Sequence, residues 1–214
     1  MDEEISIIDT KTRNEKIKNF IIKNKILLIS FFSLILISVI SFYSIQIYKD
    51  GQKEKLSNKY NGTIIEFESG QDANTISLMK EIINQRDSTY SPLALYFLID
   101  KNLLQSRDEI NNLFNVLINK TPLDEEIKNL IIYKKALYNA DFIEENELIE
   151  ILSPVINSES VWKSHALYLI GEYFYSKNEK KKSKEFILKI FEIKNANEDI
   201  KIEAQKRLKR DLSE

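Results

Sequence analysis

The stretch ALYFLID at residues 94–100 decides the fold, because it returns as ALYLIGE at residues 166–172. The shift between the two copies is 166 − 94 = 72 residues, and after one inserted residue the similarity continues, with residues 113–118 matching residues 186–191. In both copies the apolar residues recur at helical spacing, and no sustained alternation of apolar and polar residues competes with it. This part of the chain is therefore predicted to be an array of helices.

Turn-forming and capping residues divide this array into short helices. Ser91-Pro92 and Thr121-Pro122 each place a hydroxyl before a proline that suits a first helical turn, and Gly70 lies where a helix is expected to end. The predicted helices cover residues 54–69, 72–85, 91–104, 107–120, 124–140, 144–153, 160–176, 179–194 and 197–211.

Half of the shift is 36 residues, close to the roughly 34-residue tetratricopeptide unit of two antiparallel helices. The residues of the last unit that resemble this repeat are Leu167, Ile170, Gly171, Phe174, Ser183 and Ile187. Ile99 and Ile190 depart from it, since the repeat prefers glycine and alanine there. The resemblance implies an all-α, right-handed solenoid of about four helix hairpins over residues 49–211, closed by a capping helix at residues 197–211.

Two residues of the last unit have predicted structural roles. Gly171 is the only glycine after residue 70, and a glycine inside an exposed helix costs about 1 kcal/mol relative to alanine. Close packing of a neighbouring helix against its bare backbone would offset that cost. Trp162, the sole tryptophan, is predicted to be a wedge between helices, with a place in a binding groove as the alternative.

Residues 26–48 form an uncharged, mostly apolar stretch of 23 residues. At about 1.5 Å per residue, a helix of this length spans the roughly 30 Å of hydrocarbon in a bilayer. A cleaved signal peptide is the competing interpretation. The apolar region of a signal peptide is shorter than this stretch, however, and is followed by small residues at a cleavage site. The sequence therefore predicts an uncleaved transmembrane anchor.

The basic residues around the anchor predict its orientation. Those before it are Lys11, Arg13, Lys16, Lys18, Lys23 and Lys25, and those after it are Lys49, Lys53, Lys55 and Lys59. The positive-inside rule then favours a cytoplasmic arm at residues 1–25. In a bacterium, residues 49–211 would lie in the periplasm, and the protein would be a single-pass inner-membrane protein.

Composition removes several classes of function. The chain has no cysteine and one histidine, which excludes thiolate sites and metal sites with several histidines. Its formal charge of −2 gives no basis for a nucleic-acid partner. His165 alone, without a placed nucleophile, indicates no reaction. Acidic groups at residues 124–126 and 144–150 are interpreted as charges at helix starts rather than as calcium ligands. We therefore expect a non-enzymatic protein without a cofactor or metal.

One predicted helix face combines polar and aromatic residues. His165, Tyr168, Glu172 and Tyr175 are expected opposite the buried stripe of their helix, and Tyr96 and Asp100 occupy the matching face of the earlier copy. Because first helices of tetratricopeptide units line a concave groove, these six residues are the candidates for contact with a peptide. Ordinary amphipathic surface is the alternative interpretation of each one.

The whole arrangement is similar to the bacterial ancillary SecYEG translocon subunit family, of the YfgM type. The resemblance depends on the length, the anchor position and local patterns at residues 90–94, Lys101-Asn102, Trp162 with Ala166, and Gly171-Glu172. It implies a protein beside the translocon that contacts exported polypeptides and periplasmic chaperones. A periplasmic scaffold for another envelope assembly, such as cytochrome c maturation or cell division, remains the alternative.

Overall fold

A computed structural model describes the backbone of residues 2–70 and 73–212, and side chains from residue 13 onward. The described ranges are all-α, with ten α-helices, one short 3₁₀ helix and no strand. The chain divides into two compact units, residues 1–55 and residues 56–214. The all-helical prediction is confirmed for the part of the chain that the structure describes.

The helices are numbered in chain order. They are α1 (Asp2–Lys23), α2 (Lys25–Glu68), α3 (Thr75–Asn84), α4 (Tyr90–Asp100), α5 (Arg107–Lys120), α6 (Glu125–Asn139), α7 (Glu145–Ile156), α8 (Lys163–Ser176), α9 (Lys180–Lys189), the 3₁₀ helix Ile190–Glu192 and α10 (Glu198–Asp211).

The first 68 residues differ from the predicted pattern. The sequence predicts separate helices at residues 26–48 and 54–69, whereas α2 runs through both as one helix of 44 residues. The charged residues between the two predicted helices are ordinary helix formers, and the single Gly51 among them does not end a helix by itself. Gly70 does end it, with φ of +82°, and its N–H donates to the Phe67 carbonyl at 3.0 Å.

Apolar side chains of the second unit form three clusters that follow one another along the chain. The first surrounds Leu95 and Phe114 and joins the end of α2 to α3, α4 and α5. The second surrounds Leu148 and Phe174 and joins α6, α7 and α8. The third contains Ile187 and joins α8 and α9 to α10. Each short helix thus buries its apolar stripe against helices that are close in sequence.

Each helix from α3 to α9 packs on the next one, and contacts also join α3 to α5, α6 to α8 and α8 to α10. The two copies of the repeated sequence have different main neighbours. The first copy, in α4, packs mostly on α3, whereas the second copy, in α8, packs mostly on α9.

Two predicted helix starts are wrong in detail. Ser91 is inside α4, where its hydroxyl donates to the Ile82 carbonyl at 2.9 Å. The start of this helix is capped instead by the Asp87 carboxylate, which accepts the N–H groups of Thr89 and Tyr90. Thr121 ends α5 instead of starting α6. Helix α7 also continues through Pro154, beyond the end predicted at residue 153.

Other helix starts agree with the sequence. Asp124 and Glu144 are the N-caps of α6 and α7, with further carboxylates in the first turn of each helix, as the interpretation of those acidic groups predicts. The Asn197 side chain caps α10 by accepting the Ile200 N–H at 3.1 Å.

Gly171 of α8 lies against α9. A Cβ atom at this position would be 2.6 Å from Cγ1 of Ile187 and 3.6 Å from the Ser183 carbonyl oxygen. Ile187 is fully buried, and its branched side chain has few rotamers with which to move aside. Gly62 of α2, in contrast, has nothing within 4 Å of an added Cβ.

We expect Gly171→Leu to destabilise the protein by about 1 to 3 kcal/mol, because overpacking at Ile187 outweighs the gain in helix propensity. Gly171→Ala is expected to be destabilising as well, whereas the matched control Gly62→Ala gains up to about 1 kcal/mol. Denaturant unfolding measures both changes. A Gly171 variant as stable as Gly62→Ala would contradict the close approach.

Candidate functional site

Arg207 of α10 binds the polar face of α8. Its Nε donates to Oε1 of Glu172 at 2.7 Å, its Nη2 donates to the other oxygen of the same carboxylate, and its Nη1 donates to Oδ2 of Asp211 at 2.6 Å. The guanidinium carbon lies 4.2 Å from the centroid of the Tyr175 ring. Two carboxylates and an aromatic face therefore hold one guanidinium in a fixed position.

Tyr168 belongs to the same contact between α8 and α10. Its side chain packs on the third apolar cluster, and burial together with the nearby Glu172 carboxylate raises the pKa of its phenol. Three of the six predicted groove residues, Tyr168, Glu172 and Tyr175, thus face the capping helix of their own chain. The sequence did not show this, because residues 35 positions apart, such as Glu172 and Arg207, share no local pattern.

His165 lies in an aromatic cluster between α6 and α8. Its ring centroid is 4.9 Å from that of Trp162 and 5.8 Å from that of Tyr133, and the Trp162 and Tyr133 rings stack at 6.0 Å. The Nδ1 atom of His165 is buried without a hydrogen-bond partner, and burial lowers the pKa of the imidazole. Trp162 thus stacks on a ring of the neighbouring helix α6.

The two candidates on α4 lie apart from these groups. The Tyr96 hydroxyl is buried without a hydrogen-bond partner, Lys134 Nζ lies 4.7 Å from the ring centroid, and burial raises the pKa of Tyr96 to about 12. Asp100 is exposed, and its charge adds to the effect of burial in raising the pKa of Tyr60. The six predicted residues are therefore distributed over separate contacts between helices.

A cavity that the sequence did not indicate lies between the end of α7, the start of α8 and the end of α9. It has a volume of about 500 Å³. Its apolar lining consists of Ile156, Leu167, Phe186 and Ile193. In the sequence these residues are ordinary members of apolar stripes, so only their packing shows that they leave a space. We call this space the α7–α9 cavity.

Charged side chains of both signs surround the α7–α9 cavity, namely Glu159, Lys163, Lys189, Glu192 and Lys194. Lys189 is held by Glu185 at 2.7 Å and by the Phe186 ring, whose centroid is 4.4 Å away. Lys163 and Lys194 form no ion pair with any residue that the structure describes. A lining that combines apolar and charged side chains can contact an apolar side chain of a partner and pair with its neighbouring charges.

A second cavity, of about 450 Å³, is polar and lies between α5, α6 and α7. Asn111 and Asn139 exchange amide hydrogen bonds there, at 2.9 and 2.8 Å, and Lys135 Nζ donates to Asn115 Oδ1 at 2.9 Å. These amides satisfy one another across α5 and α6. Their arrangement is that of a structural network, and the described residues contain no group of three or more potential metal ligands.

We predict that Arg207→Ala costs about 1 to 3 kcal/mol of stability, because it leaves the partly buried Glu172 carboxylate without its charged hydrogen-bond partner. Glu172→Gln in the Arg207→Ala background should add little, so the two changes are expected to be non-additive in a double-mutant cycle. The control is Lys206→Ala, which removes only the exposed pair with Glu203. Equal effects of Arg207→Ala and Lys206→Ala would contradict this account.

The pKa of His165 also predicts a pH dependence of stability. The pKa of His165 is lower in the folded protein than the value of about 6.5 expected in the unfolded chain. Between these two pKa values the unfolded chain binds more protons than the folded protein. The free energy of unfolding therefore decreases as the pH falls through this range. His165→Phe should therefore lose less stability than the parent between about pH 7 and pH 5. The measurement is urea unfolding across this range.

Tyr96→Phe is the matched control, because it also removes a buried unpartnered polar atom but one that does not titrate in this range. It should shift stability by a constant amount at every pH. Parallel pH profiles for the parent and His165→Phe would contradict the role of burial at His165.

Comparison with protein-family models, with curated proteins and with solved structures finds no match to this chain. The resemblance to ancillary translocon subunits therefore has no support from these comparisons.

Proposed function

We propose that this protein is a membrane-anchored interaction module that binds polypeptide segments at the α7–α9 cavity. The observation that carries the proposal is this cavity, an open space of about 500 Å³ that is lined by both apolar side chains and charged side chains of both signs. Such a volume is within the usual range for ligand sites and accommodates one or two apolar side chains of an extended partner.

The anchor is supported by the exposure of α2. Its most apolar window has a mean hydropathy of 2.5 and is not buried at all within the protein. Side chains such as Ile26, Leu36 and Phe42 are more than half exposed, which would be unfavourable in water. A lipid bilayer is the solvent that suits this helix, and the basic residues before it favour a cytoplasmic N-terminus with the second unit across the membrane.

The tetratricopeptide-like solenoid is part of this proposal. It is supported by the sequential packing of short helices, by the contacts between alternate helices, and by the position of Gly171 against α9. Helix α10 would act as the terminal cap, since Ala204 and Leu212 are buried in the third cluster.

A module fixed to a membrane works at a high effective concentration towards partners in the same membrane, so weak contacts suffice. By resemblance, we propose the SecYEG translocon as the membrane neighbour and exported polypeptides or periplasmic chaperones as the partners. The six residues first predicted as a groove are less suited to this contact, because Tyr168, Glu172 and Tyr175 already face α10.

Site-specific photo-cross-linking in membranes tests the proposal. A cross-linker at Asn157, at the edge of the cavity, should capture an exported polypeptide, a periplasmic chaperone or a translocon subunit, and the double change Lys163→Glu with Lys194→Glu should reduce the yield several-fold. A cross-linker at Leu137, an exposed position of α6, is the matched control and should capture much less.

Two results would overturn parts of this proposal. Equal capture from positions 157 and 137 would remove the binding role of the cavity, and capture of cytochrome-maturation or division proteins alone would replace the translocon with another envelope assembly. Protease added to spheroplasts should digest the segment from residue 49 onward, and protection of that segment would reverse the orientation.

A further inference from the structure

The C-terminal half of α1 has an apolar stripe that no other described residue covers. Ile17, Phe20 and Ile21 are 49%, 60% and 50% exposed. At 100° per residue, they fall within an arc of about 100° on the helix surface, which is the width of an amphipathic face. Along the helix axis, polar residues limit the stripe at both ends, Arg13 before it and Asn24 after it. Ile22 lies on the opposite side of the helix.

Lysines flank the stripe on both sides. Lys16 and Lys23 lie about 100 to 120° to one side of Ile17, and Lys18 lies about 100° to the other side. All three are exposed or half-exposed, so their ammonium groups are accessible on either side of the apolar face. Long lysine stems can extend from such positions towards a charged surface while the stripe is buried.

The charge of this region is strongly segregated. Residues 13–25 contain five basic residues and one acidic residue, Glu15, so their formal charge is 5 − 1 = +4. The other four acidic residues of the arm, Asp2, Glu3, Glu4 and Asp9, come before this region in sequence. The excess of positive charge is thus next to the start of the apolar part of α2.

Asn24 is the single residue between α1 and α2. It is a turn residue, and both its N–H and its side-chain Nδ2 donate to the Phe20 carbonyl, at 3.0 and 2.9 Å. The side chain thus competes for a carbonyl of the helical ladder, which is a recognised cause of helix bending. This residue is therefore where we expect α1 to bend away from α2 at a bilayer surface.

We propose that the segment of α1 from Arg13 to Lys23 is an interfacial helix that binds anionic phospholipid headgroups. Its stripe of Ile17, Phe20 and Ile21 enters the boundary between headgroups and acyl chains, and Lys16, Lys18 and Lys23 pair with lipid phosphates. The occupant is an anionic lipid surface, because the apolar stripe needs a hydrophobic boundary and the lysines on both sides need negative charge. This inference rests on the proposed membrane anchor, which brings α1 to the bilayer surface.

The absence of cysteine makes a direct test possible in the full-length protein. An environment-sensitive fluorophore is attached to one of two single-cysteine variants, Ile21→Cys on the stripe or Asn19→Cys on the opposite face. Each labelled protein is reconstituted into vesicles of phosphatidylcholine alone, or of phosphatidylcholine with an equal amount of phosphatidylglycerol. We expect the label at residue 21 to be transferred to an apolar environment with the anionic lipid, and the label at residue 19 to stay in water.

Each lysine near an anionic surface strengthens binding about five-fold, so replacing Lys16, Lys18 and Lys23 with glutamine should weaken the anionic-lipid effect about 100-fold. Replacing the same three residues with arginine should retain it. The matched control changes Lys49, Lys53 and Lys55, beyond the other end of the apolar stretch, to glutamine and should leave the signal at residue 21 unchanged.

Flotation with neutral vesicles separates this inference from the anchor. Protein that floats with neutral vesicles but gives the same signal at residues 21 and 19 in anionic vesicles would overturn the lipid-binding helix and leave the anchor intact. Unchanged lipid dependence in the triple glutamine variant would also overturn it. Failure to float with any vesicle would instead contradict the anchor, and with it the location of α1 at a bilayer.

Discussion

The second unit depends on one constraint: its helices are too short to be stable alone. Helices α3 to α10 have between 10 and 15 residues, whereas isolated helices shorter than about 12 to 15 residues are marginal in water. Each one must therefore bury its apolar stripe against a neighbour, and the neighbours available soonest are adjacent in sequence. Three consecutive clusters follow from this, and α10 closes the last of them by burying Ala204 against α8 and α9.

Closing the array with α10 also determines which surface remains for a partner. Arg207 engages Glu172 and Tyr175, so the C-terminal half of α8 is occupied by the chain itself. The α7–α9 cavity lies where the second and third apolar clusters meet, since Ile156 and Phe186 line the cavity and pack against both clusters. The cavity that we propose as a polypeptide site is thus a place where the packing of short helices is incomplete.

The first unit follows the opposite rule, because most of the apolar side chains that the structure describes in it, from Ile17 to Tyr48, are exposed. In α2 they surround the helix on all sides, as expected for a lipid-facing segment, whereas in α1 they are limited to one stripe between lysines. In the arrangement that we propose, α2 spans the bilayer and α1 lies at its surface. Asn24, the residue between the two helices, is where the proposed bend would occur.

The sequence by itself determined the helical class, the helix-start carboxylates at Asp124 and Glu144, the end of α2 at Gly70 and the apolar stretch at residues 26–48, because each depends on local spacing or backbone chemistry. It did not determine that Ser91 would bond to Ile82 rather than cap α4, or that Arg207 would cover the face of Glu172, or that a cavity would open beside Phe186. These features join residues that are distant in sequence, and only the packing of whole helices brings them together. Periodicity shows which side of a helix is buried. It does not show which helix covers that side or how much space remains between the two helices, because both depend on the shapes of the packed side chains.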